Sequence, residues 1–417
     1  MTDIEPPPTP QLTKPRLTYS VVDSDQELEH LLNSLSETQV IAIDAERASG
    51  FRYGQRAYLI QVAIEGRKIY LIDPTAEIDS RNLTTLKNSL GSKTWVIHAA
   101  SQDLPCLTEF GLKASNILDT ELAGRLLGLP KVSLGAMTEH FLSLALAKEH
   151  SAVDWSTRPL PDEWLNYAAL DVDVLFELWQ AVEEALIDQK KLEIAKAEFS
   201  NLLLIEPKQE KVDRWRSVTG IHELKDQRQL TALKSLWLAR EDMAKSKDVA
   251  PGRLVPDLSL VAVVKSSPKS KSELANLRSF TGRASRTYID LWWEAYEKGM
   301  QEKNLVDLKP KTVGIPSHRN WANKFPDANT RFLWMKKLLR DLSEQQAIPV
   351  ENLISPEVVR GLCFEPPALQ NDSLKLALES RRVRAWQIEL VTPLFLEAFS
   401  KTEPPTDELK ASAPAEV

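Results

Sequence analysis

The chain has 417 residues, 43% hydrophobic and 27% charged, with a formal net charge of -7. That length exceeds what one ordinary core organises and predicts two or three domains. No apolar run approaches the ~20 residues of a membrane helix, and the two distant cysteines, Cys106 and Cys363, exclude a disulfide scaffold or a Cys-rich zinc site and predict a reducing, cytoplasmic setting.

The N-terminus, MTDIEPPPTP, has no basic region ahead of an apolar core, so no secretory signal is expected. Residues 1–15, Pro-rich and polar, read as a disordered tail. From Leu17 to about Lys190 strands and helices interleave. Val40–Ile43, Ala57–Ile64, Lys68–Ile72 and Thr94–Ile97 read as strands, with a short fifth at Ser115–Leu118. Glu65-Gly66-Arg67 is a tight turn, which predicts an antiparallel hairpin between the second and third. Strands first and strands with helices after imply an α/β domain with a mixed sheet. After Pro161 the strand signals end: Pro161–Glu193 reads as one helical segment, and nearly everything from Arg214 on reads as helices. Connections are expected near Pro207–Glu210 and between Asn304 and Pro316, and Lys401–Val417 reads as disordered. Two stretches echo each other. Leu236–Arg240 before Asp248–Val255, and Met335–Arg340 before Ala347–Ile354, are each a helix, a break near Pro and a Leu-led apolar run. They predict two diverged copies of one helical module.

Chemistry concentrates in the acids. VIAIDAERAS, residues 40–49, runs a strand into Asp44 and Glu46, two positions apart and so on one face. Carboxylates that close repel unless something positive lies between them. Asp103 opens a helix in HAASQDLPCL after the fourth strand, and Tyr167 and Asp171 share a helix face in NYAALDVDVLFEL. Asp173, two positions on, points elsewhere. Asp44, Glu46 and Asp171 would hold one hard divalent cation such as Mg²⁺ through oxygen. A second ion would share Asp44 and be held through water by Asp103, and such a pair clamps the attacking and leaving oxygens of a phosphoryl displacement. Tyr167 would orient the attacking water. The plainer alternative is a set of strand-end acids answered by Arg47, Arg52 or Arg56. Asp119 reads as a cap for the helix starting at Thr120, and His98 as a hydrogen-bonded core histidine. Neither H-E-x-x-H nor a phosphate-binding G-x-x-x-x-G-K-[ST] occurs.

The negative average conceals a basic stretch. Between Lys211 and Lys303 bases outnumber acids, with Lys265, Lys269, Lys271, Arg278, Arg283 and Arg286 clustered near Phe280, Tyr288 and Trp292. Cations neutralise phosphates and aromatic faces stack bases, so these six are candidate nucleic-acid contacts. The alternative is a solvated bundle with its aromatics in the core.

The ordered set D-x-E, D and Y-x-x-x-D resembles the DEDD superfamily of 3′-to-5′ exonucleases in its tyrosine subgroup. HAASQDLPCL, DTELAGRLLGLP, DWSTRPLP and YAALDV are similar to ribonuclease D in particular, over about residues 20–190. From about Val212 to Gly299 the chain resembles the HRDC domain, with a weaker second copy at about 320–400. The resemblance implies a ribonuclease H-like exonuclease domain at 16–205, an HRDC domain at 206–303, a linker at 304–319, a second HRDC-like domain at 320–401 and a tail at 402–417. It implies two divalent cations, Mg²⁺ or Mn²⁺, with Asp44, Glu46 and Asp171 on the first, Asp44 bridging to the second, Asp103 supporting it and Tyr167 aligning the water. It also implies release of nucleoside monophosphates from RNA 3′ ends, with tRNA precursors or other structured RNA as substrate. A monomer, without membrane contact, suffices. The chain departs from the family pattern at Arg47, followed by Ala48-Ser49-Gly50, where an aromatic or small residue is usual. A DNA 3′ exonuclease, a non-catalytic RNA-binding protein on the same fold and a protein-interaction scaffold are the competing readings.

Overall fold

The computed structural model describes residues 10–147, 152–204, 212–309 and 314–406. Among the described residues there are eight strands: β1 (Gln11–Leu12), β2 (Tyr19–Val22), β3 (Val40–Arg47), β4 (Ala57–Ile64), β5 (Lys68–Ile72), β6 (Thr94–Ile97), β7 (Asn116–Asp119) and β8 (Ala145–Leu146). Six form one sheet in the order β2-β5-β4-β3-β6-β7. β4 is antiparallel to both neighbours and the remaining pairs are parallel. The sheet is therefore mixed, and the β4–β5 hairpin turns at Gly66, whose φ of 64° favours glycine.

The helices of this domain are α1 (Asp25–Ser36), α2 (Ser80–Gly91), α3 (Ala100–Phe110), α4 (Thr120–Leu126), α5 (Leu134–Leu142), α6 (Asp162–Asp173), α7 (Leu175–Asp188) and α8 (Leu192–Leu202). Leu28, Leu31 and Leu35, spaced three and four apart, are the buried face of α1. The sheet separates two cores. Ile41, Ile43 and Ala45 of β3 pack on one side with Leu28, Leu86 and Leu107. Ala42, on the alternate face, packs with Ala168, Ala169 and Val172 of α6. Strand alternation carries that second face on to Asp44 and Glu46, so both acids point toward α6.

Several sequence expectations are corrected. The first strand does not stop at Ile43 but continues through both acids to Arg47. Residues 10–15 are not wholly tail: Gln11 and Leu12 pair in parallel with Ala145 and Leu146. The helical run from Pro161 to Glu193 is three helices, broken at Val174 and near Lys190, whose φ is 57°. At the other end, Trp334 Nε1 donates to the Glu403 carbonyl at 2.7 Å, so the segment after Lys401 begins ordered. The expected connection at Pro207–Glu210, residues 310–313 of the later one, and residues 1–9 and 407–417 of the expected tails lie outside the described residues.

The rest is helical. A first module comprises α9 (Gln227–Lys247), α10 (Pro251–Leu254), α11 (Asp257–Ser266), α12 (Lys271–Ala275), α13 (Arg283–Thr287) and α14 (Ile289–Gln301). A second comprises α15 (Trp321–Lys324), α16 (Pro326–Gln346), α17 (Val350–Leu353), α18 (Pro356–Phe364), α19 (Asn371–Glu379) and α20 (Ala385–Ser400). Each has its own core, around Trp215 and Trp292 in the first and Trp321 and Phe395 in the second. The echo seen in the sequence is structural. α9 and α16 are both 21 residues long, and each ends on a left-handed residue, Asp248 or Ala347. Each is followed by a four-residue helix and then an extended residue, Val255 or Ile354.

Candidate metal centre and active site

Asp44 and Glu46 leave β3 on the α6 side, and Asp171 comes to meet them from α6. Each offers a carboxylate oxygen, and the three atoms lie within 4.8 Å of one another. They sit at the floor of a pocket of about 230 Å³ that is also lined by Arg47, His98, Gln102, Asp103, Leu134 and Tyr167. Burial, reinforced by mutual repulsion, pushes the Glu46 and Asp171 carboxyls well above the usual range, and burial raises Asp44. Acids so placed favour a compensating cation. An all-oxygen donor set suits a hard divalent ion rather than one that prefers sulfur or imidazole.

Asp103 stands slightly apart from these three. It projects from the first turn of α3, where it is hydrogen-bonded to Asp44, and it lies 3.3 Å from Arg47 Nη2. Burial, then the charge and hydrogen bond of Asp44, push it up to about 9 against the opposing effect of Arg47. Its helix is set by Asp119. That buried carboxylate accepts from Ala99 N and Ala100 N at the start of α3 (3.1 and 2.9 Å) and from Glu121 N and Leu122 N at the start of α4 (2.9 and 3.1 Å). The expected cap is therefore double: one side chain fixes two helix starts.

Tyr167 lies one turn before Asp171 and donates its hydroxyl to that carboxylate. Its ring packs 6.4 Å from that of Trp155, which the DWSTRPLP segment delivers to the core. Burial and the neighbouring acids raise the phenol, so it stays a donor. Asp173 points away as expected and grips Arg16, Nε to Oδ2 at 2.8 Å. His98 is a wall residue. Its Nδ1 lies 2.8 Å from Thr120 Oγ1, its ring also bonds the Val132 backbone, and burial lowers it to about 4.

Of the three arginines read as possible counterions, only Arg47 reaches an acid of the set. Arg52 donates to Ser156 Oγ at 2.7 Å, and Arg56 lies 4.0 Å from Asp248. The basic candidates lie elsewhere, in the first module. Lys265, Lys269, Lys271, Arg278, Arg283 and Arg286 are all exposed, but Lys265 pairs with Glu223 and Lys271 with Asp290. Base stacking on Phe280 and Trp292 is ruled out because both are fully buried. The hydrophobic effect has used their faces for the core. Tyr288 keeps a partly open ring, with Lys247 Nζ 5.2 Å from its centroid.

A contact that the sequence reading missed joins the loop after β3 to the first module. Asp248 Oδ1 accepts from Tyr53 N and Gly54 N, both at 3.2 Å, and Tyr58 donates to Oδ2. Ala250 N donates to Phe51 O at 2.9 Å. Arg253 donates to Gly50 O and lies 3.9 Å from the Phe51 ring centroid. RASGFRYGQRAY has no periodicity to signal this; its glycines and aromatics were the only clue.

Three family models match the chain: "3'-5' exonuclease" over residues 19–187, "HRDC domain" over 229–296 and "3' to 5' exonuclease C-terminal domain" over 314–399. Among curated proteins, ribonuclease D of Shewanella sp. (strain ANA-3) is 26% identical across 82% of this chain and 86% of its own. A solved protein from Bifidobacterium adolescentis superposes with a TM-score of 0.84 at 32% identity, covering 94% of this chain and all of that one. Escherichia coli RNase D, described as an exoribonuclease involved in structured RNA processing, superposes at 0.65 with 26% identity, over 93% of this chain and all of its own. Matches spanning both the carboxylate pocket and the helical modules place the chain in the ribonuclease D family of 3′-5′ exonucleases.

Proposed function

We propose that this enzyme trims the 3′ ends of RNA one nucleotide at a time, using two divalent cations, Mg²⁺ or Mn²⁺, and releasing nucleoside 5′-monophosphates. The observation that carries the reading is the convergence of Asp44, Glu46 and Asp171 within 4.8 Å, with Tyr167 one helical turn before Asp171. Bound cations would supply Lewis acidity at the scissile phosphate. Asp44, Glu46 and Asp171 would hold the first, and Asp44 and Asp103 would serve the second. Tyr167, fixed by Asp171 and Trp155, would orient the attacking water through its hydroxyl. The water gives up a proton as its oxygen bonds to phosphorus, the bond from phosphorus to the 3′ oxygen of the penultimate nucleotide breaks, and that oxygen takes up a proton.

RNA as substrate rests on the ribonuclease D relatives. Structured RNA with a 3′ extension, tRNA precursors included, is the proposed class, held by exposed bases of the first module such as Lys269, Arg278, Arg283 and Arg286. The two thiols are buried and unbridged, which supports a reducing, cytoplasmic setting. All four acids and Tyr167 come from one chain, so a monomer is sufficient.

The test is a ladder assay on 5′-labelled single-stranded RNA and matched DNA, with Mg²⁺, Mn²⁺ or EDTA. Stepwise shortening of RNA from the 3′ end is expected, abolished by EDTA and reduced at least ~10²-fold by Asp44→Asn. RNA binding without shortening would leave a binding protein on an exonuclease fold. Equal or faster shortening of DNA would make this a DNA exonuclease.

A further inference from the structure

Four carboxylates and one guanidinium share the pocket. Arg47 follows Glu46 directly, so alternation aims it at the opposite face of the sheet, the face on which α3 packs. The β3–β4 register shifts between Glu46 and Arg47, which brings Arg47 opposite Ala57. The guanidinium then lies across the first turn of α3. Nη1 donates to the Gln102 carbonyl at 2.8 Å, and Nη2 lies 3.3 Å from Asp103 Oδ1. Among the described residues no other Lys or Arg forms an ion pair with any of the four acids.

We propose that Arg47 is a resident cation at Asp103, which a second divalent ion has to displace. The inference rests on the two-cation reading above. Ligand acids must be deprotonated to bind metal. Four carboxylates against one guanidinium then leave three negative charges in one partly buried pocket. One divalent ion at Asp44, Glu46 and Asp171 reduces this to one. A second, with the guanidinium still in place, would leave excess positive charge beside Asp103, where low polarity makes repulsion costly. The arginine must turn away, or an RNA phosphate must arrive to balance the charge. Arg47 is a positioning residue here: it acts through Asp103 and makes occupancy of the second position depend on substrate. A small or aromatic side chain in its place would impose no such condition.

The experiment counts Mn²⁺ bound to the full-length protein without RNA, by isothermal titration calorimetry and by electron paramagnetic resonance. Wild type, Arg47→Gln, Arg47→Lys and Asp44→Asn are compared. Wild type is expected to bind one Mn²⁺ well and the second at least ~10-fold more weakly; Arg47→Gln should tighten the second about ten-fold and leave the first unchanged. Arg47→Lys keeps the charge and should keep the second site weak. An unchanged or weakened second site in Arg47→Gln would overturn the proposal, because Arg47 would then only fasten α3 to β3. Tightening in Arg47→Lys as well would overturn it too, because the charge would not be what competes. An unchanged first site in Arg47→Gln shows that the pocket is intact. The metal-enzyme reading is judged separately. If wild type binds no Mn²⁺, or Asp44→Asn keeps the first site, that reading falls and takes this one with it.

Discussion

Asp44 and Asp103 are joined by a hydrogen bond that needs a proton, since two ionised carboxylates offer no donor. Burial and the charge of Asp44 hold Asp103 at about 9 even beside Arg47, so at neutral pH the proton stays until a divalent ion replaces it. Divalent-ion affinity should therefore rise with pH up to about 9 and level off above it. Titrations in two buffers of different ionisation enthalpy would show the released proton, and a pH-independent affinity would contradict the assignment. The linkage to stability has the opposite sign. A carboxyl raised above its unfolded value stabilises fully below that value, 3.8, and the contribution is lost as pH rises through about 9. Added Mn²⁺ should thus raise Tm more at about pH 8 than at about pH 6. Much of the acid set was legible because two periodicities expose it: alternation places Asp44 with Glu46, and the helical turn places Tyr167 with Asp171. Arg47 was one of three counterions the sequence offered, but that it meets Asp103 was not legible, because Asp103 arrives from a separate helix.

Among elements, the start of α3 is the most constrained. Ala99 is left-handed, with φ 59°, a conformation that costs a non-glycine residue about 1 kcal/mol or more. Asp119 holds it by taking the Ala99 and Ala100 amides, and holds α4 in the same way. Asp119→Ala should cost about 3 kcal/mol or more, since it leaves four backbone donors without an acceptor in a buried place. Urea denaturation measures this, and a loss below about 1 kcal/mol would mean water replaces the carboxylate. The sequence suggested a single cap because it shows only the local neighbour, Thr120. The second pair of amides arrives from a segment twenty positions earlier. The break between α6 and α7 at Val174 escaped for a related reason: no Gly or Pro marks it, and both helices bury apolar faces in the same core. The two-residue strands β1 and β8 are too short to show alternation at all.

At the scale of the molecule, both modules dock on the exonuclease domain. The first uses Asp248, Ala250 and Arg253 against the loop after β3. The second sends Leu342, Ile348 and Leu353 into the core beneath α6 and α7. Lys191 of the exonuclease domain donates to the Leu126 and Ala347 carbonyls. Glu198 in α8, buried, accepts both Arg384 nitrogens at 2.6 Å and Trp386 Nε1 at 2.8 Å. Glu198→Ala strands a partly buried guanidinium and an indole N–H. The expected cost is about 3 kcal/mol, after allowing for the solvent that reaches Arg384. Faster proteolysis in α20, with the exonuclease core still protected, would report it. Unchanged proteolysis would show that the apolar contacts suffice. None of this docking could be read from composition, because it joins positions as distant in the chain as Gly50 and Arg253, 203 apart.

The matched 21-residue helices carry a consequence for how this protein can vary. α9 and α16, the left-handed residues that end them, α10 and α17, and the starts of α11 and α18 all correspond at a constant offset of 99 positions. Beyond that point the correspondence drifts: α12 and α19 begin 100 apart, and α14 and α20 begin 96 apart. The constant part contains the Asp248 joint of the first module and the Ala347 joint of the second. A residue inserted into either long helix would turn its joint by about 100° and move it about 1.5 Å, lifting Asp248 off Tyr53 or Ala347 off Lys191. A length change ahead of Asp248 or Ala347 is therefore expected to disturb docking. The two modules share one spacing from the long helix to the start of α11 or α18 and differ beyond it.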